Sequence, residues 1–488
     1  MAQIGGGRLS INGETYMPLP KSPRRSPKKV AKKTKQTGSG TSSPRVNSSP
    51  KKRGRKRKAS PKKSTPKKAS HKKSTPKRKT HFSPIWPQPG YSESEGNPFI
   101  FHIPALTNHF TDLASSYLYL RLRIQKENGS DLDTEDDIAP NENFFASYIE
   151  SVNLELNSTP VSRNQNSLYL WRHFMENYLF ESEGVKKSTL STELFYLDEN
   201  EKYDTTNANY AVRKAYTNGS KQFEVTGILK HSLQSQSRLI PDGVHMTLAV
   251  KRSKNTLALF GNPTGVQTSG ETASQKSYKI KVESAIFYCH RVQLTEKVLT
   301  HVHAMLSKNR LNFLMKSKEM KSFNIPTGSY TASNVLFSGP TPTFLILGLL
   351  TAKQYIGSYG LSPFAFSKHN LDMVTVQVEG ESNDFLRTLN FQDGSLLGYK
   401  SLNSLCTKQL GNGIGREEYE GRNRFLMAVE LLPSAGDQFQ TQGHNQTKLL
   451  LKFSQPTTEP LVLVCMAEFP SLLQIDKERR VYSDAVII

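Results

Sequence analysis

The 488-residue sequence holds only three cysteines, Cys289, Cys406 and Cys465, and only two tryptophans. Three scattered thiols make neither a disulfide framework nor a zinc-ligand set. They fit a reducing compartment, cytosol or nucleus. No run of 18 apolar residues occurs, so no transmembrane helix and no membrane partner are expected. The strongest apolar stretch, TPTFLILGLLTA (341–352), is too short and contains Gly348. The opening MAQIGGGRLS lacks the apolar core of a signal peptide. Metalloprotease HExxH and hydrolase GxSxG patterns are absent, and the glycine-rich LGNGIG (410–415) has no Walker lysine and reads as a surface loop.

Acid is the scarcest commodity at the start of the chain. Residues 1–80 carry 26 Lys and Arg against a single acid, Glu14, whereas the remaining residues carry 39 against 41. The formal charge of +23 therefore belongs to the first 80 residues, and the body is close to neutral. Such asymmetry marks a tethered polyanion-binding arm on an ordinary folded body.

Within the arm, seven Ser/Thr-Pro-basic units begin at Ser22, Ser26, Ser43, Ser49, Ser60, Thr65 and Thr75. Proline at this density excludes helix, and Ser or Thr before it favours a turn. A disordered string of small basic turns is expected, similar to the SPKK repeats in tails of certain linker and sperm histones. The expected ligand is double-stranded DNA, held with little sequence preference through counterion release. The candidate contacts are Arg24, Arg25, Lys28, Lys29, Lys51, Lys52, Arg53, Arg55, Lys56, Arg57, Lys58, Lys62, Lys63, Lys67, Lys68, Lys77 and Arg78. KKRGRKRK also suffices as a nuclear import signal, and the two readings are compatible. The segment KRGRKRK resembles an AT-hook in which Lys56 replaces the proline. The seven Ser and Thr are candidate phosphorylation sites, since each precedes proline, with unregulated surface hydroxyls as the alternative. Phosphates there would add about −1.5 to −2 charges each and oppose DNA binding. Ile4 to Arg8 resembles the site cut by adenovirus-type maturation proteases, between Gly7 and Arg8; the alternative is a flexible glycine-rich end.

The body reads as strands. YLYLRLRI (117–124), SVNLELN (151–157), HMTLAVKRS (245–253), YKIKVESAIFY (278–288), MVTVQVEG (373–380), KLLLKFS (448–454) and LVLVCMAEF (461–469) form short period-2 runs bounded by Gly, Pro, Asn and Ser. Helical spacing occurs in SLYLWRHFMENYLF (167–180), with Leu168, Trp171, Met175 and Leu179 on one face, and in TEKVLTHVHAMLS (295–307). Polar stretches 126–143, 181–222 and 261–277 read as long insertions. The expected fold is all-β, two antiparallel sandwiches or jelly rolls. The expected domains are a basic tail over 1–90, a first sandwich over 91–295 and a second over 296–488. Cys289 and His290 with His301 and His303 could be imagined as a metal site, but strand and helix geometry send neighbouring side chains apart. Asp136 and Asp137 read as solvated loop acids. No metal, cofactor or catalytic constellation is expected, and the chain reads as a non-enzyme.

In order along the chain, LYLRLRIQKENGSDLD (118–133), SYIESVNLELN (147–157), RLIPDGVHMTLAVKRSKNTLALFG (238–261), FNIPTG (323–328), LFSGPTPTFLILGLL (336–350), SPFAFSKHNLDMVTVQVEG (362–380), REEYEGRNRFLMAVELLPS (416–434) and AEFPSLLQIDKERRVYSD (467–484) resemble the hexon-like major capsid proteins of Polinton and adintovirus elements. The likeness spans about residues 98–484. It implies a double jelly roll, three chains to a pseudo-hexagonal capsomer, and an icosahedral shell around double-stranded DNA. A separate vertex (penton) protein, location in the virion and assembly in a host nucleus follow from the same likeness. The long basic arm departs from the family pattern. About 80 residues span at most roughly 260 Å when extended and about 50 Å as a coil, enough to reach a genome beneath a shell. The alternatives are a domesticated nuclear or chromatin-associated DNA-binding protein that kept a jelly-roll body, a ligand-binding β protein, and a sandwich-fold enzyme.

Overall fold

The computed structural model describes residues 79–89, 96–161, 168–199, 202–204, 206–262, 277–379, 385–409, 411, 413–421, 423–432 and 445–483. Residues 1–78, with every candidate DNA contact, phosphorylation site and the Gly7–Arg8 bond, lie outside the described residues.

Ten strands come first: β1 (Lys79–Ile85), β2 (Pro98–Ile103), β3 (His109–Lys126), β4 (Ile138–Pro140), β5 (Ile149–Leu156), β6 (Thr159–Pro160), β7 (Phe223–Gly227), β8 (Met246–Arg252), β9 (Leu259–Gly261) and β10 (Tyr278–Gln293). Nine follow: β11 (Leu311–Ile325), β12 (Thr331–Gly339), β13 (Phe344–Thr351), β14 (Leu371–Glu379), β15 (Phe385–Asn390), β16 (Leu426–Glu430), β17 (Asn445–Phe453), β18 (Leu461–Ile475) and β19 (Val481–Ser483). The first sandwich faces the sheet β1-β10-β3-β7 with the sheet β2-β8-β5-β6. The second repeats the pattern with β11-β18-β13-β16 and β12-β17-β14-β15; β19 adds to β18, and β4 pairs with β9 outside both. Counting the eight sandwich strands of each half in order, both halves read 1-8-3-6 over 2-7-4-5. That order is the jelly-roll arrangement; all strand pairs are antiparallel, and apart from the hairpins β5–β6, β14–β15 and β18–β19 they join strands distant in sequence.

Side-chain alternation explains the layers. In β3, Leu118, Leu120, Leu122 and Ile124 are buried while Tyr117, Tyr119, Arg121 and Arg123 face outward. The tight β5–β6 hairpin turns on Asn157 and Ser158, both at positive φ (46° and 64°), as a two-residue primed turn requires. In β13 nearly every residue is buried on both faces. Gly348 is needed there because a Cβ would lie 2.4 Å from the Phe366 ring. Each fully buried Leu, Ile or Phe contributes about 1.5–3 kcal/mol.

Register fixes the ends. Gln293, the last residue of β10, pairs with both Lys79 and His109, the first residues of β1 and β3. The end of β7 lies toward the start of β3. We call this the root end, since the basic arm joins the body there. The insertions 127–148, 161–222 and 253–277 leave the opposite, loop end. In the second sandwich Leu311 opens β11 opposite Ile475 at the end of β18, and β13 starts where β16 ends. Its insertions 352–370, 391–425 and 454–460 again leave the loop end.

The two sandwiches belong to one compact unit. β10 stops at Gln293, and the helix Glu296–Leu306 carries the chain to β11. Both expected helical segments form helices, Tyr169–Phe180 and Glu296–Leu306. The strand Lys79–Ile85 was read as tail from its composition, yet it forms the sheet edge beside β10. Two further readings need correction. The polar stretch 181–222 holds helices, among them Glu183–Lys187 and Ala208–Thr217. Its polarity hid them because Arg213 is itself buried, paired to Asp198 at 2.7 Å. Asp136 is buried, not solvated; it accepts from the Tyr278 hydroxyl at 3.1 Å and pairs with Lys126 at 3.4 Å.

Candidate functional surfaces

No constellation for bond-making chemistry comes together among the described residues. Cys289 is buried in the first core, while His290 turns outward to Asp112 at 3.1 Å. His303 lies 3.3 Å from Asp242. Among the described residues, no group of three His, Cys, Asp or Glu side chains is placed to hold a metal ion. LGNGIG lies between the helices Leu396–Lys408 and Arg416–Gly421, where Asn403 Oδ1 accepts from the Ile414 amide at 3.1 Å. The three cysteines are buried, and burial pushes the Cys406 thiol up to about 12.

What the structure does build is a seam. At the loop end the insertion after β3 supplies Glu142, fully buried. It accepts from the Arg424 guanidinium, from Ser362 Oγ at 2.6 Å and from the Asp198 amide at 2.9 Å. Arg424 also donates to the Phe364 carbonyl at 2.8 Å. Burial opposes its charge most strongly, but Glu142, Tyr178 and Asp198 together outweigh that, so its pKa is raised. Beside them Trp171 donates to the Pro363 carbonyl at 2.9 Å and stacks on Tyr355 at 4.8 Å. At the root end Arg479 joins Asp242 at 2.7 Å, and Asn157 donates to the Arg479 carbonyl at 2.7 Å. Root-end loops thus touch root-end loops and loop-end insertions touch loop-end insertions, so the sandwiches stand side by side with like ends aligned. Sequence reasoning missed Glu142 and Arg424, which lie 282 positions apart and carry no local pattern.

The helix Tyr169–Phe180, sent out between β6 and β7, crosses onto the second sandwich. Phe180 meets Phe344 at 6.2 Å, and Glu176 pairs with Lys318 at 3.4 Å. Its apolar stripe was legible, but the helix is buried nearly all round because it lies between two cores.

Two histidines sit neutral in this body. Burial lowers His173 and His231 to about 3 from 6.5. Burial also raises Glu193, beside His173, to about 7 from 4.5. The histidines bind fewer protons folded than unfolded, so their contribution is complete above pH 6.5 and is lost as pH falls toward 3. Glu193 acts with the opposite sign, its contribution being present below pH 4.5 and lost as pH rises through 7. Below about pH 4.5 the histidines act without that offset, each costing about 1.4 kcal/mol per pH unit. His231→Asn keeps an acceptor for the Leu233 amide and should flatten the acid limb by about that slope. Urea unfolding between pH 3.5 and 6.5 measures it; an unchanged slope contradicts the assignment.

No protein-family model matches the sequence. The uncharacterized protein F54H12.2 of Caenorhabditis elegans is 23% identical over 419 residues, covering 81% of this chain and 95% of that protein. A chain of the Sputnik virophage superposes with a TM-score of 0.53 at 14% identity, covering 83% of this chain and 88% of that one. The Faustovirus major capsid protein gives 0.52 at 10% identity, covering 83% and 92%. The mavirus major capsid protein gives 0.50 at 8% identity, covering 83% and 90%. The chain has a double jelly-roll fold. The likeness runs through both jelly rolls, so the seam between them lies inside the shared architecture.

Proposed function

We propose that the chain is a structural major capsid protein of the Polinton and adintovirus type. In this reading it is not an enzyme and needs no cofactor. Three copies form a pseudo-hexagonal capsomer, capsomers tile a shell around double-stranded DNA, and a separate penton protein closes the vertices. The observation that carries this reading is the repeated 1-8-3-6 over 2-7-4-5 strand order, with like ends aligned across one buried seam. Two equivalent sandwiches per chain allow three chains to present six near-equivalent units. The jelly rolls divide at the helix Glu296–Leu306, as domains 91–295 and 296–488, with β1 added to the first.

The arm joins the body at the root end, opposite the long insertions. A shell with the insertions outward places the arms inward, where Lys and Arg of residues 24–78 meet packaged DNA. Phosphates on the seven Ser/Thr-Pro sites release the arm from DNA during assembly in the nucleus. Cleavage after Gly7 leaves the arm intact. A domesticated chromatin protein with the same body is the second reading, since the charge of the arm alone supports DNA binding in either setting.

Sedimentation of a chain beginning at Lys79 tests the division of labour. The cut spares β1, whereas a cut at residue 90 would remove a sheet edge. The shortened chain is expected to unfold cooperatively and sediment as a trimer at micromolar concentration. A folded, strictly monomeric chain contradicts the proposal.

A further inference from the structure

Charge in the folded body is divided between its two ends. The insertion after β3 at the loop end, residues 127–148, carries seven acids and no Lys or Arg. Three connections at the root end, 228–245, 294–310 and 476–480, carry eight Lys and Arg against four acids. The near-zero charge of the body conceals this polarity. Three of the four acids are engaged locally. Asp242 holds Arg479 at 2.7 Å, and Glu478 holds Lys477 at 3.4 Å. Asp476 accepts from the Arg480 amide at 2.8 Å and from the Tyr482 hydroxyl at 3.1 Å. Glu296 stands in the first turn of the helix Glu296–Leu306.

The cations are left open. Lys79, Arg238, Lys297, Lys308, Arg310 and Arg480 are exposed, and none of them forms an ion pair among the described residues. Their segments are tied into one surface. Arg238 donates to the Asn312 carbonyl, and Arg479 links Asp242 to His303, 3.2 Å away on the helix Glu296–Leu306. Lys79 pairs with Gln293, just before that helix. Arg310 donates to Gln474 Oε1 at 3.1 Å and lies 4.0 Å over the Tyr482 ring. A guanidinium held in this way meets a phosphate with little further loss of side-chain freedom. Scattered surface cations are ordinary, but a one-sided excess is the footprint of a polyanion.

We infer that the root end of the folded body is a second DNA contact, in which these six cations meet the phosphates of a duplex held by the arm. The ligand is duplex DNA because the patch has the complementary sign and adjoins Lys79, where the arm meets the body. Phosphate contacts of this kind fix where a duplex lies without reading its sequence. The patch therefore sets the position of the duplex against the body, while the arm supplies most of the attraction. Six contacts alone bind weakly and only in low salt. This contact presupposes that the arm binds DNA, and it adds folded residues to that binding.

The test labels the full chain with an amine-reactive reagent and reads each lysine by mass spectrometry, with and without a short linear duplex at low salt. Lys297 and Lys308 should lose reactivity several-fold on binding, together with the lysines of the arm. The exposed loop-end lysines Lys187, Lys221 and Lys353 should not change. A full-length double variant, Lys297→Ala with Lys308→Ala, alters only exposed side chains and should fold as before. It should lower the salt slope of duplex binding by about 2, at about 0.9 per phosphate contact. If the arm lysines are protected while Lys297 and Lys308 stay reactive, or if the double variant keeps the full slope, this contact is wrong and the reading of the arm stands. If neither set is protected, both are overturned. Protection of Lys297 and Lys308 by phosphatidylserine vesicles but not by duplex would assign the patch to lipid and overturn the DNA contact.

Discussion

Arg424→Ala should destabilise the body by about 3–5 kcal/mol, among the largest effects open to a single substitution. The reason is the partner left behind. Glu142 is fully buried at the seam, and without Arg424 its carboxylate keeps, among the described residues, Ser362 Oγ and the Asp198 amide as donors. A buried carboxylate without a cation costs more than the pair contributed. The Phe364 carbonyl loses a donor as well. Replacing both charges, Glu142→Leu with Arg424→Met, should recover most of the loss, since no buried charge then remains. Denaturant unfolding of both singles and the double gives the coupling. Equal losses in Arg424→Ala and the double variant would show that packing, not charge, carries the seam.

Removing residues 1–78 should abolish measurable duplex binding in moderate salt. The full chain carries +23, of which residues 1–78 contribute +24 and the remaining body −1. With on the order of ten phosphates contacted, the full chain should lose about 10³–10⁵ in affinity between 50 and 200 mM salt. Changing all seven Ser/Thr-Pro sites to Asp should shift affinity in the same direction as phosphate, by less, because each Asp adds one charge. A seven-fold Ala variant should bind like the unmodified chain. Binding by the shortened body equal to that of the full chain, or a flat salt response, contradicts an electrostatic arm.

Strands were the most legible feature because many bury one face, and burial on one face writes a period of two, while β13 and the start of β18, buried on both faces, show as apolar runs. YLYLRLRI and YKIKVESAIFY became the paired centres of β3 and β10, and LVLVCMAEF the buried part of β18. The weakest readings had their cause in tertiary contact. β1 is short and mostly exposed, held by backbone pairing to β10, so composition assigned it to the arm. The helix Ala208–Thr217 buries Arg213 and Tyr210, and a buried arginine satisfied by Asp198 looks like loop polarity in sequence. Asp136 misled in the same way, its partners Lys126 and Tyr278 lying on two different strands. The seam was invisible because Glu142, Ser362 and Arg424 meet only once both sandwiches have formed. The arm was read from charge and proline alone, and its residues lie outside the described ones.

The most direct measurement of the central claim is electron microscopy of the purified full-length chain mixed with linear double-stranded DNA at low salt. The account predicts particles of threefold symmetry with a pseudo-hexagonal outline, associating into curved sheets or closed shells with DNA on the concave side. Uniform single-chain particles that coat DNA without lattice contacts would contradict the capsid reading and favour the chromatin one.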